Sequence, residues 1–424
     1  MVEGERLKIA VVGGGVAGIT AAYVLSRQHD VTLLEQNDYV GGHTNTRVVC
    51  DPKNPELAVD TGFIVCNPRN YPNFYKFLDQ LGIKRQDSDM SFGFSCDQTG
   101  LQYMGPSVKE FMKAPGNLLN PQFVRMILEQ RRFNSRALAD LAAGTLGNTA
   151  LGEYLAELGT SAYFFDNYLA PLIGSIWSAP DSNALEFPAL SFLTFFKNHG
   201  MLEMSKRPQW QTVVGGSHSY VKAFRNAFKG SVRTSSRALS VRRDADGVVV
   251  QSAGGVEERY DKVVVATHAD EGLKLLVDPS PEEQRALGAW HYSTNRTVLH
   301  TDPSVLGPRK RLWAAWNYKR RMGARQDSPV AITYYMNKLQ NLDAAKDYFV
   351  TLNCSDQIDR SSVLYEVTYT HPVYTPESVA SQDLVRQLNG SRNTYFCGAY
   401  MRHGFHEDAV MSALDVTSLF GMTL

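Results

Sequence analysis

The sequence predicts an α/β protein of two domains, one built on a parallel sheet and the other on a mostly antiparallel sheet under a helical cap. Three observations predict it. Short β-branched runs at Lys8–Val12, 29–35 and 262–266 read as buried strands of a parallel sheet. Residues 297–301, 331–336 and 365–369 alternate as strands of a second, antiparallel sheet. Between residues 101 and 200, apolar side chains fall at helical spacing. A length of 424 residues also exceeds what one simple core serves.

Taken in order, strand Lys8–Val12, a glycine-rich turn, a helix over 19–28 and strand 29–35 form a β–α–β unit. A polar loop over 38–46 leads to a strand or strand edge over 59–65. A helix over 72–81 then stops at Gly82, a residue suited to a helix end. Apolar periodicity predicts cap helices over 122–141, 151–158, 162–176 and 188–198. A helix beginning within 213–220 runs to about 228. Residues 231–252 read as a meander turning at Asp246-Gly247. A short strand over 395–398 and a helix over 407–420 close the chain. The nucleotide domain is therefore assigned residues 1–85, 205–270 and 385–424. The substrate domain receives the cap, 86–204, and the sheet, 271–384.

Composition excludes several classes. Lys+Arg and Asp+Glu are equal at 43 each, without the basic excess that nucleic-acid binding needs. The five cysteines are scattered with no CxxC pair, so neither a disulfide framework nor a metal site is expected. No run reaches the roughly 18 apolar residues of a membrane span. The first residues carry no apolar signal region. A cytoplasmic protein is expected. Lys197, Lys206 and Arg207 flank the aromatic segment 188–198 and suggest peripheral docking on anionic lipid.

The constellation richest in chemistry is Gly13-x-Gly15-x-x-Gly18. Gly13 permits the turn, Gly15 admits a pyrophosphate, and Gly18 lets helix and strand pack closely. The helix N-terminus offers N–H groups to the phosphates. Glu35, about 20 residues on, is placed to accept the ribose hydroxyls. Two further features favour FAD over NAD. Gly41-Gly42 brings a loop close to the cofactor. A second strand–glycine–helix element near Gly398 and Gly404–Val410 offers another positive helix end, suited to the charge of a reduced flavin ring.

These residues, with Val214–Ser217 and the strand 263–267, resemble the flavin-containing amine oxidase superfamily of the glutathione-reductase type over the whole chain. The strings Gly41–Thr44, Val59–Val65, Leu299–Asp302, Trp316–Tyr318, Thr333–Gln340 and Gly404–Asp408 are similar to the branch associated with cyclopropane-fatty-acid synthases. The resemblance implies a Rossmann-type FAD domain holding FAD non-covalently. Cys397 lies before Gly398, away from the position used for covalent attachment. By the same resemblance Gly13, Gly15 and Gly18 hold the pyrophosphate, and Val16, Ala17, Gln36, Gly41, Gly42, His43, Thr44, Thr61, Gly62, Phe63, Ala266, Gly398, Phe405, His406 and Glu407 contact the cofactor. The backbone of Ala238 meets the adenine.

The chain also departs from the amine oxidases. His43 replaces the usual arginine, Phe405 the usual tyrosine, and Asn295-Arg296 stands where a flavin-facing lysine is expected. His43 and His406 are the expected acid–base groups, whereas His300 in a strand reads as a core residue. Tyr334 and Tyr335 point to opposite faces of their strand, one of them the cavity floor; Tyr335 is the third catalytic candidate. The aromatics Phe164, Phe165, Trp177, Phe192, Phe195 and Phe196 read mainly as cap core. The expected activity is FAD-dependent oxidation or desaturation of a fatty acyl chain or phospholipid. A double-bond isomerase, an amine oxidase or a non-catalytic FAD-binding partner of a lipid-modifying enzyme remain the alternatives; the membrane surface or a lipid methyltransferase is the expected peripheral contact, and no metal is expected.

Overall fold

The computed structural model describes residues 6–105, 108–147, 149–177, 185–202, 208–324 and 328–424. Five parallel strands form the first sheet, in the order Ser231–Arg233, Asp30–Leu34, Lys8–Val12, Lys262–Val265 and Thr394–Phe396. Their apolar runs are buried on both faces, as a parallel sheet requires. Helix Val16–Leu25 is buried almost all round, and packs against the closing helix His406–Ser418. It starts at Val16, earlier than the predicted residue 19, because Gly15 serves as its cap.

Residues 231–233 do not open the meander. They extend the parallel sheet beside Asp30–Leu34 until Ser235 turns left-handed at φ 51°. The meander is Ala238–Asp244, Gly247–Ser252 and Val256–Tyr260. The strand predicted over 59–65 ends at Asp60, and Thr61 to Ile64 run irregularly past the chain at His43.

A second sheet of seven strands runs Val363–Val373, His291–His300, Phe349–Leu352, Ala331–Tyr335, Trp316–Arg320, Phe92–Cys96 and Gln102–Gly105. All neighbours are antiparallel except Trp316–Arg320 and Phe92–Cys96. The last two strands lie within the segment assigned to the helical cap, so that assignment is corrected. The alternation Phe92, Phe94, Cys96, followed by a turn with Gly100 at φ 68°, carried the signal.

Cap helices Pro121–Ala143, Leu151–Glu157 and Ala189–Asn198, and the helical stretch 162–177, pack over this sheet. The stretch 162–177 contains one wide π-helical turn, Phe165–Leu169. Phe192, Leu193, Phe195 and Phe196 are buried in the cap core, so helix Ala189–Asn198 has no continuous apolar face to dock on lipid. Lys206 and Arg207 lie outside the described residues. Among the described residues no helix is long and apolar enough to cross a membrane.

Candidate active site

The carboxyl ends of the parallel strands deliver Gly13, Glu35, Ala266 and Gly398 to one cavity of about 870 Å³, which continues under the cap to the second sheet. Gly13, Gly15, Val16, Ala17, Gln36, Gly41, Gly42, His43, Thr61, Gly62, Phe63, Ala238, Phe405 and His406 also line it. The Glu35 carboxylate accepts from the Gly14 N–H at 2.8 Å and from the Asn37 N–H and side-chain amide at 2.8 Å each. These bonds fix it at the cavity wall.

Gly15 and Gly18 serve different ends. A Cβ on Gly18 would lie 1.9 Å from the Gly13 carbonyl oxygen, so the fold itself demands that glycine. Gly18 accordingly holds strand against helix and does not line the cavity, a correction to its expected place at the pyrophosphate. A Cβ on Gly15 would meet nothing within 4 Å, and its φ of −71° suits any residue. Only something bound against the helix N-terminus calls for a glycine there. The buried Nε2 of His43 likewise has no partner among the described residues. Both features fit a large polar ligand lying across the strand ends.

His406 begins the closing helix and stacks on Phe63, centroids 3.5 Å apart. Its Nε2 lies 3.1 Å from the Thr44 hydroxyl, which meets the Tyr220 hydroxyl at 2.5 Å. Burial holds the His406 imidazole neutral, pushed down to about 3. Thr44 is buried behind this contact and does not line the cavity, a correction to its expected cofactor contact. Glu407 is corrected too. On the turn after His406 its carboxylate points away from the cavity, and accepts from the N–H groups of Asn73 and Phe74 and from the Asn73 amide. It thereby satisfies the free N–H groups at the start of helix Pro72–Gln80. Glu407→Ala is expected to destabilise the fold by about 2 kcal/mol while bound flavin stays stoichiometric; denaturant titration and the flavin-to-protein absorbance ratio check this.

Tyr335 is corrected as well. Its hydroxyl donates to Asp347 at 2.6 Å, and its ring packs on Phe349 and Trp313, outside the cavity. Tyr334 faces the cavity instead. The strand ends here, because Met336 opens a short helix. His300 is a core residue, with its Nε2 2.8 Å from the Thr351 hydroxyl.

Three cavity histidines escaped the sequence reading: His199, which follows the cap helix and stacks on Phe195, His268 and His371. His268 follows strand Lys262–Val265 and stacks on Tyr292, centroids 4.2 Å apart. His371 lies on the edge strand Val363–Val373, 5.2 Å from His43 by ring centroid; His43 in turn stacks on Tyr369. Burial lowers His43, His268 and His371, the last pushed down to about 4, so this group is neutral at pH 7. His268 was findable from its place just beyond a parallel strand's carboxyl end. His371 lay two residues beyond the strand predicted over 365–369; the observed strand runs on through Pro372, which is tolerated because this strand is at the sheet edge.

The profile of the flavin-containing amine oxidoreductase family matches residues 16–315. The chain belongs to this family. An L-amino-acid oxidase from Siganus canaliculatus is 25% identical over 312 residues, which cover 69% of this chain and 56% of that protein. The chain thus spans little more than half the length of this curated relative. A fatty acid isomerase from P. acnes that produces CLA superposes with a TM-score of 0.69 at 16% identity, covering 98% of both chains. A triple mutant of putrescine oxidase superposes equally, with a TM-score of 0.69 at 13% identity over 98% of this chain and 99% of that one. The fold is the FAD-binding amine oxidase fold, and the family to which the chain belongs is flavin-containing.

The residues fit FAD as described. The turn Gly13–Gly15 and the N-terminus of helix Val16–Leu25 would hold the diphosphate, Glu35 the ribose, and Gly42, His43, Phe63 and His406 the flavin side. Cys397 is fully buried behind Gly398, with its thiol pushed up to about 12 by burial. Among the described residues no group of histidine, cysteine and carboxylate side chains is arranged to hold a metal ion.

Proposed function

We propose that this flavoenzyme oxidises a long apolar chain, a fatty acyl group or phospholipid, by removal of a hydride and a proton from adjacent carbons. One observation carries the reading. The lobe under the cap is lined by Leu172, Ile176, Phe195, Met201, Trp316 and Phe405, among others, and no charged side chain of the described residues faces it. The charged groups at the cavity wall come from the nucleotide side. Glu35 and Arg237 flank the ribose position, and Glu271 and Lys274 lie on helix Ala269–Leu275. An amine calls for an anion to pair its charge, and an amino acid for a cation to pair its carboxylate as well. An uncharged acyl chain calls for neither. When bound, FAD supplies the two-electron acceptor for hydride. The aromatic walls exclude water, and the Nε2 of neutral His43, which no described residue partners, offers a nitrogen to receive the proton.

Anaerobic titration with a phospholipid extract or oleate tests the proposal by the 450 nm flavin band. Bleaching is expected. A band left intact by every lipid while an amine bleaches it would overturn the reading. A second reading, double-bond isomerisation, draws support from the likeness to the fatty acid isomerase. It predicts altered lipid without lasting bleaching and without an electron acceptor.

The reading extends to the membrane surface. Met112, Leu118, Leu119, Val124 and Leu128 are exposed around the start of helix Pro121–Ala143, beside the exposed basic side chains of Arg125, Arg131 and Arg132. Such a mixture suits an anionic bilayer surface. The protein is expected to sediment with liposomes containing phosphatidylglycerol and to lose most of that binding on Leu119→Glu with Leu128→Glu. Equal sedimentation of wild type and double variant would refute this.

A further inference from the structure

His371 is oriented by a chain of hydrogen bonds that ends on main-chain atoms. The Arg296 N–H donates to Asn353 Oδ1 at 3.1 Å, and Asn353 Nδ2 donates to the Val330 carbonyl at 3.1 Å. A main-chain N–H can only donate and a carbonyl can only accept, so the Asn353 amide has one orientation. Asn353 Nδ2 also donates to Asn295 Oδ1 at 2.7 Å. That bond turns the buried Asn295 amide so that its Nδ2 faces His371 Nδ1 at 3.0 Å. The Ser293 hydroxyl donates to the His371 carbonyl at 3.4 Å, which leaves its lone pair for Asn295 Nδ2 at 3.3 Å. Every donor along the chain is matched to an acceptor.

The last acceptor is the Nδ1 lone pair of His371. A proton on Nδ1 would set N–H against N–H in a buried site, where an unmade hydrogen bond is costly. The remaining proton of the neutral ring therefore sits on Nε2. That atom makes no hydrogen bond to any described residue, and the ring lines the cavity. We propose that Asn353, Asn295 and Ser293 lock His371 as the neutral Nε2–H tautomer, a fixed, uncharged hydrogen-bond donor to an acceptor atom of the ligand in the cavity. The antiparallel register makes the arrangement possible. Asn295 pairs with Tyr369 and Ser293 with His371, so all four side chains share one face of the sheet. Asn295, Asn353 and Ser293 act through His371 and are positioning residues.

This inference rests on the flavin site and not on the lipid assignment. The test reads the proton directly, by two-bond 15N–1H correlation of the FAD-loaded protein carrying 15N-labelled histidine. His371 is picked out among ten histidines as the signal lost in His371→Gln. The expected pattern is a protonated Nε2 and an unprotonated Nδ1, unchanged from pH 6 to pH 8. Asn295→Asp replaces the donor by an acceptor and is expected to move the proton onto Nδ1. Asn353→Gly keeps the left-handed backbone, φ 57°, and removes the clamp. It is expected to release the ring into mixed tautomers. An Nδ1–H or doubly protonated ring in the wild type, or an unchanged pattern in both variants, would overturn the proposal. No substrate enters the measurement, so its failure leaves the lipid reading standing, and the converse holds.

Discussion

Gly15→Val is expected to give a folded protein that purifies without colour. The position tolerates the side chain as far as the protein is concerned. Its backbone lies in the ordinary extended region, and a Cβ there meets nothing within 4 Å. The isopropyl group instead fills the space where the diphosphate meets the N-terminus of helix Val16–Leu25. Loss of that approach is expected to weaken FAD binding at least ~100-fold, about 3 kcal/mol. Flavin fluorescence titration measures the affinity. Thermal unfolding should place the variant with flavin-stripped wild type, below the holoenzyme, since bound ligand stabilises by mass action. Gly18→Ala is the contrast. Its methyl collides with the Gly13 carbonyl, so it should lower stability in the absence of flavin as well. A Gly15→Val protein that keeps its yellow colour would place the diphosphate elsewhere.

The same two glycines show what was legible in the sequence. Gly13-x-Gly15-x-x-Gly18, Glu35 and the three β-branched strands state the nucleotide half, because backbone approach and burial on both faces leave few residue types to choose from. The Gly404–Asp408 string marked the second helix end, but not the roles within it. His406 faces the cavity and Glu407 turns away to cap helix Pro72–Gln80, a distinction set by a partner more than 300 residues distant in the chain. Such long-range pairings leave no local pattern. The same is true of His371, whose tautomer depends on Asn353 and Asn295, and of Tyr335, whose hydroxyl turns to Asp347. Strands Phe92–Cys96 and Gln102–Gly105 fall in another class. Their alternation was present, but the helical periodicity just beyond it overrode the short hairpin.

The substrate half offers the sharper functional experiment. Leu172 lines the apolar lobe from the cap helix Ala170–Trp177 and is only partly buried, so the cap is expected to fold with a longer side chain there. Leu172→Arg brings a guanidinium into a lobe whose described lining holds no carboxylate to pair it. An acyl chain then has to lie against a charge or leave it without solvent, a cost on the order of 3 kcal/mol. Lipid-driven bleaching of the 450 nm band, followed by stopped flow at sub-saturating lipid, is expected to slow about 100-fold, while the flavin spectrum and content stay unchanged. Leu172→Met conserves shape and polarity and is expected to stay close to wild type. Leu172→Glu separates the readings by sign. A lobe that binds a neutral chain loses activity with either charge. A lobe that binds a cationic amine loses with arginine and gains with glutamate, because the new carboxylate supplies the counter-ion that the described walls lack. Equal damage by arginine and glutamate is the outcome that an acyl substrate predicts. Rescue of amine oxidation by glutamate would return this chain to the chemistry of the amine oxidases whose fold it shares.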